Sequence, residues 1–354
     1  MIGTQRTHRR IEHTHGTAIL TTASTSGFDT QTGCSAVLLA PHTVGVCRSD
    51  LREIRGERFG RRDFGHEIVG TVLDTSSDLG HLREQTIIFD PHPRLSTRSS
   101  GFAELVELTG DATELQAALV PVPGGLDPEA AVFGEPLACA VHCVHRLLRA
   151  SIDVEPDSPV AVVGAGMAGI LISAALVGRG YRGALFNVGP ERITFLNDRK
   201  ALPTASAQIY NGHATFSRVI LATAFASPRY LDACVRLLAD RGVLVLFAGT
   251  EPGAHFGDVD IDELRRHELT HQLSTAGKDF TVVGTYGATR ADFTDALALL
   301  TAAPNAAGWS PALCVQRLIT HRLTLTDAAS FLTASAANGV LGKAIVEIDT
   351  RSRS

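Results

Sequence analysis

At 354 residues, with 44% hydrophobic and 19% charged side chains, the chain is long enough for about two domains and has the composition of a soluble globular protein. Its net charge of −5 gives no basic field for a nucleic-acid backbone, and no apolar run reaches the length of a membrane span, which argues against nucleic-acid and membrane partners. The six cysteines form no C-x-x-C pair, which argues against a disulfide scaffold and a four-cysteine zinc lobe; any metal must use mixed ligands.

The chain opens on a cluster of Arg6, His8, Arg9, Arg10, His13 and His15, which reads as a solvated tail. No apolar h-region accompanies it, so a cytoplasmic protein is expected. From about Ser35 to Leu108, short β-like runs (Ala36–Leu39, Ile68–Val72, Thr86–Phe89, Ala103–Leu108) are punctuated by Gly, Pro and Asp, which predicts a mostly-β domain. From Pro159 onward strand-like and helix-like runs alternate: Val160–Val163, a helix from Met167, Ala184–Val188, Val219–Ala222, a helix near Tyr230–Ala239, Val243–Ala248 and Thr281–Gly284. Alternation with glycine at strand ends predicts a doubly wound parallel sheet. The last stretch carries helices at Ala291–Leu300 and Leu325–Ala336 and a β run at Ala344–Ile348, long enough to return to the first domain.

Within the second region, Gly164-Ala-Gly166-Met167-Ala168-Gly169 follows a buried strand and opens a helix. Gly164 permits a tight turn, Gly166 lets backbone amides approach a pyrophosphate, and Gly169 allows close packing of helix on strand. The helix N-terminus, at Met167 and Ala168, then attracts the anion. Asn187 lies 21 residues beyond Gly166 (187 − 166), where an acid would take the ribose hydroxyls of NAD. An amide there removes the charge that repels a 2′-phosphate, and Arg192 could pair with that phosphate, so the reading leans to NADP. The alternative is Asn187 on an NAD ribose with Arg192 solvated.

The first region contributes three informative segments: Gly45-Val-Cys47-Arg48-Ser49-Asp50, Phe64-Gly65-His66-Glu67 and Gly134-Glu135-Pro-Leu-Ala-Cys139. A thiolate, an imidazole and a carboxylate from separate loops would suit zinc with one position open for water or substrate. Their spacing matches no local metal motif, and residue chemistry alone leaves Cys47, His66 and Glu135 as three plausible ligands.

In their order along the chain, GVCRSD, FGHEIVGTV, GFAELVEL, a diffuse stretch ending GEPLACAVH, GAGMAG, and LITHRLTL with GKAIVEI resemble the zinc-dependent medium-chain dehydrogenase/reductase family, especially its polyol, sorbitol and threonine dehydrogenase branch. The resemblance implies a Rossmann nucleotide-binding domain, residues 147–288, inserted into a mostly-β GroES-like catalytic domain, residues 1–146 and 289–354. It implies zinc ligands at Cys47, His66 and Glu135, with Glu67 an alternating ligand or supporting carboxylate. Ser49 matches the hydroxyl that relays the substrate proton, and Asp50 a residue that orients the site. It also implies pairing of nucleotide domains through a strand like Thr281–Tyr286, giving a homodimer or homotetramer.

The chain departs from the family in three places. Pro93–Ser100 lacks the four-cysteine lobe, so one catalytic zinc and no structural zinc is expected. Arg52 stands where many relatives carry a proton-relay histidine. Arg48 replaces a common glycine and could reach the cofactor pyrophosphate or sit in a surface salt bridge. The function implied is hydride transfer between NAD(P) and a secondary alcohol or ketone of a small polar hydroxylated substrate: a polyol, cyclitol, aminocyclitol or sugar. Two alternatives stand beside it: a zinc-independent enone or quinone reductase of the same superfamily, and a non-catalytic nucleotide-binding protein.

Overall fold

The computed structural model describes residues 6–14, 16–25, 34–57, 64–203, 207–209 and 215–349. In chain order the elements begin with β1 (Thr7–Thr14), β2 (Thr17–Ser24), β3 (Ser35–Gly45), α1 (Arg48–Ile54), β4 (Glu67–Thr75), β5 (Thr86–Phe89), β6 (Thr97–Arg98), β7 (Val106–Gly110), α2 (Ala112–Ala118), β8 (Leu119–Pro121) and α3 (Pro128–Ala131). There follow α4 (Gly134–Ala150), β9 (Val160–Val163), α5 (Met167–Gly178), β10 (Gly183–Asn187), α6 (Pro190–Asp198), β11 (Ala207–Ile209), β12 (Phe216–Leu221), α7 (Pro228–Leu237) and β13 (Leu238–Leu246). The chain closes with β14 (His255–Phe256), β15 (Val259–Asp260), α8 (Ile261–Arg266), β16 (Thr270–Thr275), β17 (Lys278–Gly284), α9 (Arg290–Thr301), α10 (Pro311–Leu318), β18 (Ile319–Thr324), α11 (Leu325–Asn338) and β19 (Lys343–Glu347). Packing groups residues 1–135 with 319–354 in one compact unit and residues 136–318 in a second.

The first unit is built on a sheet of order β18-β19-β3-β4-β5-β8, with β7 also on β3 and β6 on β7. Apart from the parallel β18–β19 pair its ladders are antiparallel. The core holds Val37, Leu39, Val44, Val72, Ile87 and Phe89 from the strands, and Leu325, Ala328 and Leu332 from α11. Burying these apolar side chains is the main stabilising term.

The basic N-terminus is not a solvated tail. Residues 7–14 pair in antiparallel register with 17–24, and Ile11 and His8 are buried. The Ile11 amide donates to the Phe102 carbonyl at 2.8 Å, Ala18 donates to Thr333 Oγ1 of α11, and Arg9 Nε and Nη2 both donate to Glu104 Oε1 at 2.9 and 2.7 Å. The charges sit on the outward face of a ribbon whose other face is docked; His15 lies outside the described residues.

The second unit carries the sheet β11-β10-β9-β12-β13-β17-β16. All neighbours are parallel except β16, which turns back antiparallel on β17. Its first six strands have the doubly wound order of a dinucleotide-binding fold. The strand expected to be free for pairing between subunits, around Thr281–Tyr286, is not an edge: β13 and β16 occupy its two sides. Positive φ values at Ala276 and Gly277 make the tight turn that folds β16 onto it, so β16 is the exposed edge.

Candidate active site

In the first unit the ligand atoms of Cys47, His66 and Glu67 lie within 4.8 Å of one another. Cys47 caps α1 at the end of the β3 segment, while His66 and Glu67 sit at the start of β4, so two adjacent antiparallel strands bring them together. Asp50, fully buried in the first turn of α1, joins the two segments. It accepts the Cys47 amide at 2.7 Å and the Gly65 amide at 2.9 Å, and its Oδ1 stands 3.7 Å from His66 Nδ1. Burial pushes the Asp50 carboxyl up, but the hydrogen bond and charge of His66 and the two amides outweigh it and hold the pKa below the usual range. Burial likewise opposes charge on His66, yet the hydrogen bonds its ring donates to Asp50 and Cys47 raise its pKa well above that of an ordinary histidine.

Glu67 is held by a residue that sequence reasoning did not select. Lys343, buried at the start of β19, donates to Glu67 Oε2, with its ammonium 5.8 Å from the Phe133 ring centroid. Strand β3 runs between β19 and β4, and Gly45 faces Glu67 across the ladder. A Cβ at Gly45 would stand 2.1 Å from Glu67 Oε2 and 3.0 Å from Lys343 Cε. The missing side chain is what lets lysine and glutamate meet across the intervening strand. The only available signal was that Lys343 is one of three lysines in the chain and falls in a quoted motif.

Glu135 is buried in the first turn of α4, outside the converging trio but within electrostatic reach of it. Its pKa is raised, first by burial and also by the charge of Glu67, while His66, His92 and Lys343 act in the opposite sense. The site thus offers a thiol, an imidazole and two carboxylates, a donor set that suits a zinc ion.

Two residues after Cys47, Ser49 Oγ is buried and has no hydrogen-bond partner among the described residues. Arg52 is ion-paired with Glu57 at 3.7 Å, and Arg48 is exposed at the start of α1.

In the second unit, the GAGMAG turn links β9 to α5. Gly164 adopts φ +114°, a conformation that favours glycine, and a Cβ at Gly169 would stand 1.8 Å from the Gly164 carbonyl oxygen. Nothing lies within 4 Å of the Cβ position at Gly166, so the outer face of the turn is open. Beside it the first-turn amides, around Met167, Ala168 and Gly169, have no acceptor within the helix and are half-exposed at the first two positions. These features fit a bound pyrophosphate. Asn187 serves the turn itself: its Oδ1 accepts the Ala165 amide at 3.2 Å and its Nδ2 donates to the Gly189 carbonyl at 2.9 Å. Arg192, on α6, has no acceptor among the described residues.

Galactitol-1-phosphate dehydrogenase from Escherichia coli superposes with a TM-score of 0.70 at 16% identity, covering 96% of this chain and 99% of that one. TarJ of S. aureus in complex with NADPH gives 0.69 at 13% identity, over 98% and 100%. No family model matches the chain. In sequence it is 25% identical over 288 residues to L-galactonate-5-dehydrogenase of Escherichia coli (strain K12), covering 74% of this chain and 78% of that protein. The chain is thus similar in sequence to a dehydrogenase and shares the fold of solved dehydrogenases. It carries the Rossmann-type sheet and the mostly-β GroES-like unit that its motifs imply. No helix among the described residues is long and apolar enough to cross a membrane.

Proposed function

We propose that the chain is a zinc-dependent, nicotinamide-linked dehydrogenase that moves a hydride between NAD(P) and a secondary alcohol or ketone of a polyol, cyclitol, aminocyclitol or sugar. The observation that carries this reading is Ser49. An unpartnered buried hydroxyl two residues from Cys47 is costly in a structural role and useful in a proton relay. Cys47 and His66 would hold the metal with Glu67 or Glu135, and the Gly164–Gly169 turn would hold the cofactor pyrophosphate.

When bound, zinc supplies Lewis acidity that brings a hydroxyl pKa to about 7, and the nicotinamide supplies the hydride carrier. The chain's own residues do the rest. Ser49 Oγ would relay the substrate hydroxyl proton, accepting it while passing its own proton on toward solvent during oxidation, and the reverse during reduction. Asp50 fixes the Cys47 and His66 segments through its two backbone amides, and Lys343 holds Glu67 on one side of the site. Arg52, paired with Glu57, replaces the family's usual relay histidine, so the proton leaves Ser49 by another route.

Three related proposals go with this reading. The cofactor preference leans to NADP, supported by Arg192 having no acceptor among the described residues and by an amide, Asn187, in place of an acid. The catalytic and nucleotide-binding domains of this reading follow the two packed units, 1–135 with 319–354 and 136–318, in place of the limits 1–146 with 289–354 and 147–288 that the resemblance implies, since α9 and α10 pack on α5. Any edge-to-edge homodimer or homotetramer would form through β16. The central test pairs zinc stoichiometry of the purified protein with a screen of polyols and cyclitols against NAD and NADP. One zinc per chain and reversible polyol oxidation are the expected results; metal-free protein that reduces enones would favour the zinc-independent alternative.

A further inference from the structure

A proton passed to Ser49 needs a way out of the first unit, and two of the polar groups on α1 cannot provide it. Arg52 carries a guanidinium that stays protonated and has no acceptor atom, and it is ion-paired with Glu57 at 3.7 Å. Asp50 is taken up by the amides of Cys47 and Gly65. The remaining acid of the helix is Glu53, four residues after Ser49 (53 − 49). Side chains four apart share a helix face, with Cβ atoms about 6 Å apart, and they lean toward the helix N-terminus. Glu53 therefore lies over the turn that carries Ser49, at a separation that one bridging water closes.

The burial of this carboxylate is the unusual feature. Glu53 is only 6% exposed, and acids are almost never buried without a partner that gives them a role. Its partner comes from the N-terminal ribbon: His13 Nε2 of β1 stands 3.2 Å from Glu53 Oε1. The His13 side chain is 27% exposed, so the ring reaches from the buried carboxylate to solvent. Its position is fixed on two sides, by the Phe64 ring at 4.8 Å between centroids and by the Gly16 amide, which donates to the Ile54 carbonyl at 3.1 Å. A clasp between ribbon and helix needs only a hydrogen-bond donor at position 13. An imidazole adds the capacity to take a proton on one nitrogen and release one from the other near neutral pH. Ser49, Glu53 and His13 thus run in order from a buried hydroxyl to a solvent-facing ring, all within the first unit.

We propose that Glu53 and His13 form the outward leg of the proton relay from Ser49. This rests on the dehydrogenase reading above and assigns its proton exit. During oxidation Ser49 Oγ takes the substrate hydroxyl proton as its own proton passes to the Glu53 carboxylate. The carboxylic acid so formed gives that proton to the neutral His13 ring at Nε2, and the imidazolium releases one proton to solvent. Each group ends with as many protons as it began with, and reduction runs the sequence in reverse. Both residues act through Ser49 and not on the reacting carbon.

The test uses the full chain loaded with zinc and NAD(P), oxidising the compound turned over fastest in the polyol screen. His13→Gln keeps a donor for Glu53 but carries no proton. It should lower kcat by roughly tenfold, and added imidazole should restore the loss with increasing concentration. Glu53→Gln should cost at least as much and resist rescue, because the break lies in the buried part of the path. In both variants the ratio of kcat in H2O to kcat in D2O should rise, with zinc content held. Arg9→Gln loosens the same ribbon at Glu104 and should change neither kcat nor that ratio. Wild-type kcat in His13→Gln overturns the proposal, as does a loss that imidazole leaves untouched or that Arg9→Gln reproduces. Independently of turnover, the ring-nitrogen NMR shifts of His13, assigned by their disappearance in His13→Gln, should move in Ser49→Ala as well as in Glu53→Gln. A response to Glu53→Gln alone reduces the pair to a structural clasp and ends the relay. Wild-type protein that oxidises no compound sinks the dehydrogenase reading, and the response of His13 to Ser49→Ala still decides whether the three groups are linked.

Discussion

Each unit buries a cluster of charged side chains, and the two differ in how completely the polar groups are satisfied. In the second unit His142 Nδ1 meets Asp292 at 2.8 Å and Nε2 meets Glu268 at 2.6 Å, so both ring nitrogens face carboxylates, which favours the protonated ring. Asp292 also accepts His145 Nδ1, the Thr289 amide and the Thr289 hydroxyl, closing a capping box on α9. Every charged partner there is matched. In the first unit, Cys47, His66 and Glu67 converge, a second carboxylate stands nearby, and Ser49 Oγ has no partner among the described residues. A polar network that is complete without a ligand serves the fold, whereas one left incomplete at such cost is built for something it binds.

The largest effect that sharpens this contrast is expected from Cys47→Ser. Losing a zinc ligand should cut turnover roughly a thousandfold or more and lower the bound zinc measured by elemental analysis. Retained zinc with full activity would remove Cys47 from the metal set. Ser49→Ala should reduce kcat by roughly 10²- to 10⁴-fold with zinc content and Tm held, because its hydroxyl has no partner to lose. A large drop in Tm would instead make Ser49 structural.

Asp292→Asn addresses the satisfied cluster. It should cost about 3 kcal/mol in denaturant unfolding, because it leaves the His142 imidazolium without one of its two carboxylates. The pH dependence follows from the shifts. The carboxylate of Asp292 is held far below the usual range: burial opposes the charge, but hydrogen bonds from His142 and Thr289 outweigh it, so its contribution is present above about pH 4 and fades as pH falls through the depressed value. For His142, burial lowers the pKa but Asp292 and Glu268 raise it by more. Its contribution is full below about pH 6.5 and is lost as pH rises through the elevated value. The Tm difference between wild type and His142→Gln should therefore shrink as the solution becomes alkaline; a constant gap would show that His142 packs without carrying charge. The smallest effect is expected for Arg192→Ala, which should weaken NADP relative to NAD by roughly tenfold in kcat/KM. An unchanged ratio would end the NADP lean.

The same contrast explains what the sequence made legible. The GAGMAG turn, its strand and its helix are local, so glycine spacing was enough to locate the turn between β9 and α5. Cys47 and His66 belong to one site only because β3 and β4 are neighbours, a pairing that residue spacing does not reveal and that the family resemblance supplied. Lys343 stands 276 residues from Glu67, and Asp292 stands 150 from His142, so neither pair leaves any periodic trace. The first strand escaped for a different reason. Thr7–Thr14 contains a single aliphatic residue, Ile11, so the alternation that marks a half-buried strand was carried by His8 instead of a second apolar side chain.

That ribbon also limits how the protein can be shortened. His13 Nε2 stands 3.2 Å from the buried Glu53 carboxylate, its ring packs 4.8 Å from Phe64, and the Gly16 amide donates to the Ile54 carbonyl at the end of α1. These contacts brace the helix that Cys47 caps and the loop that leads to His66. A chain trimmed as though its first two dozen residues were dispensable would keep every ligand named above. It would also expose Phe64 and Phe102 and leave α1 held from fewer sides.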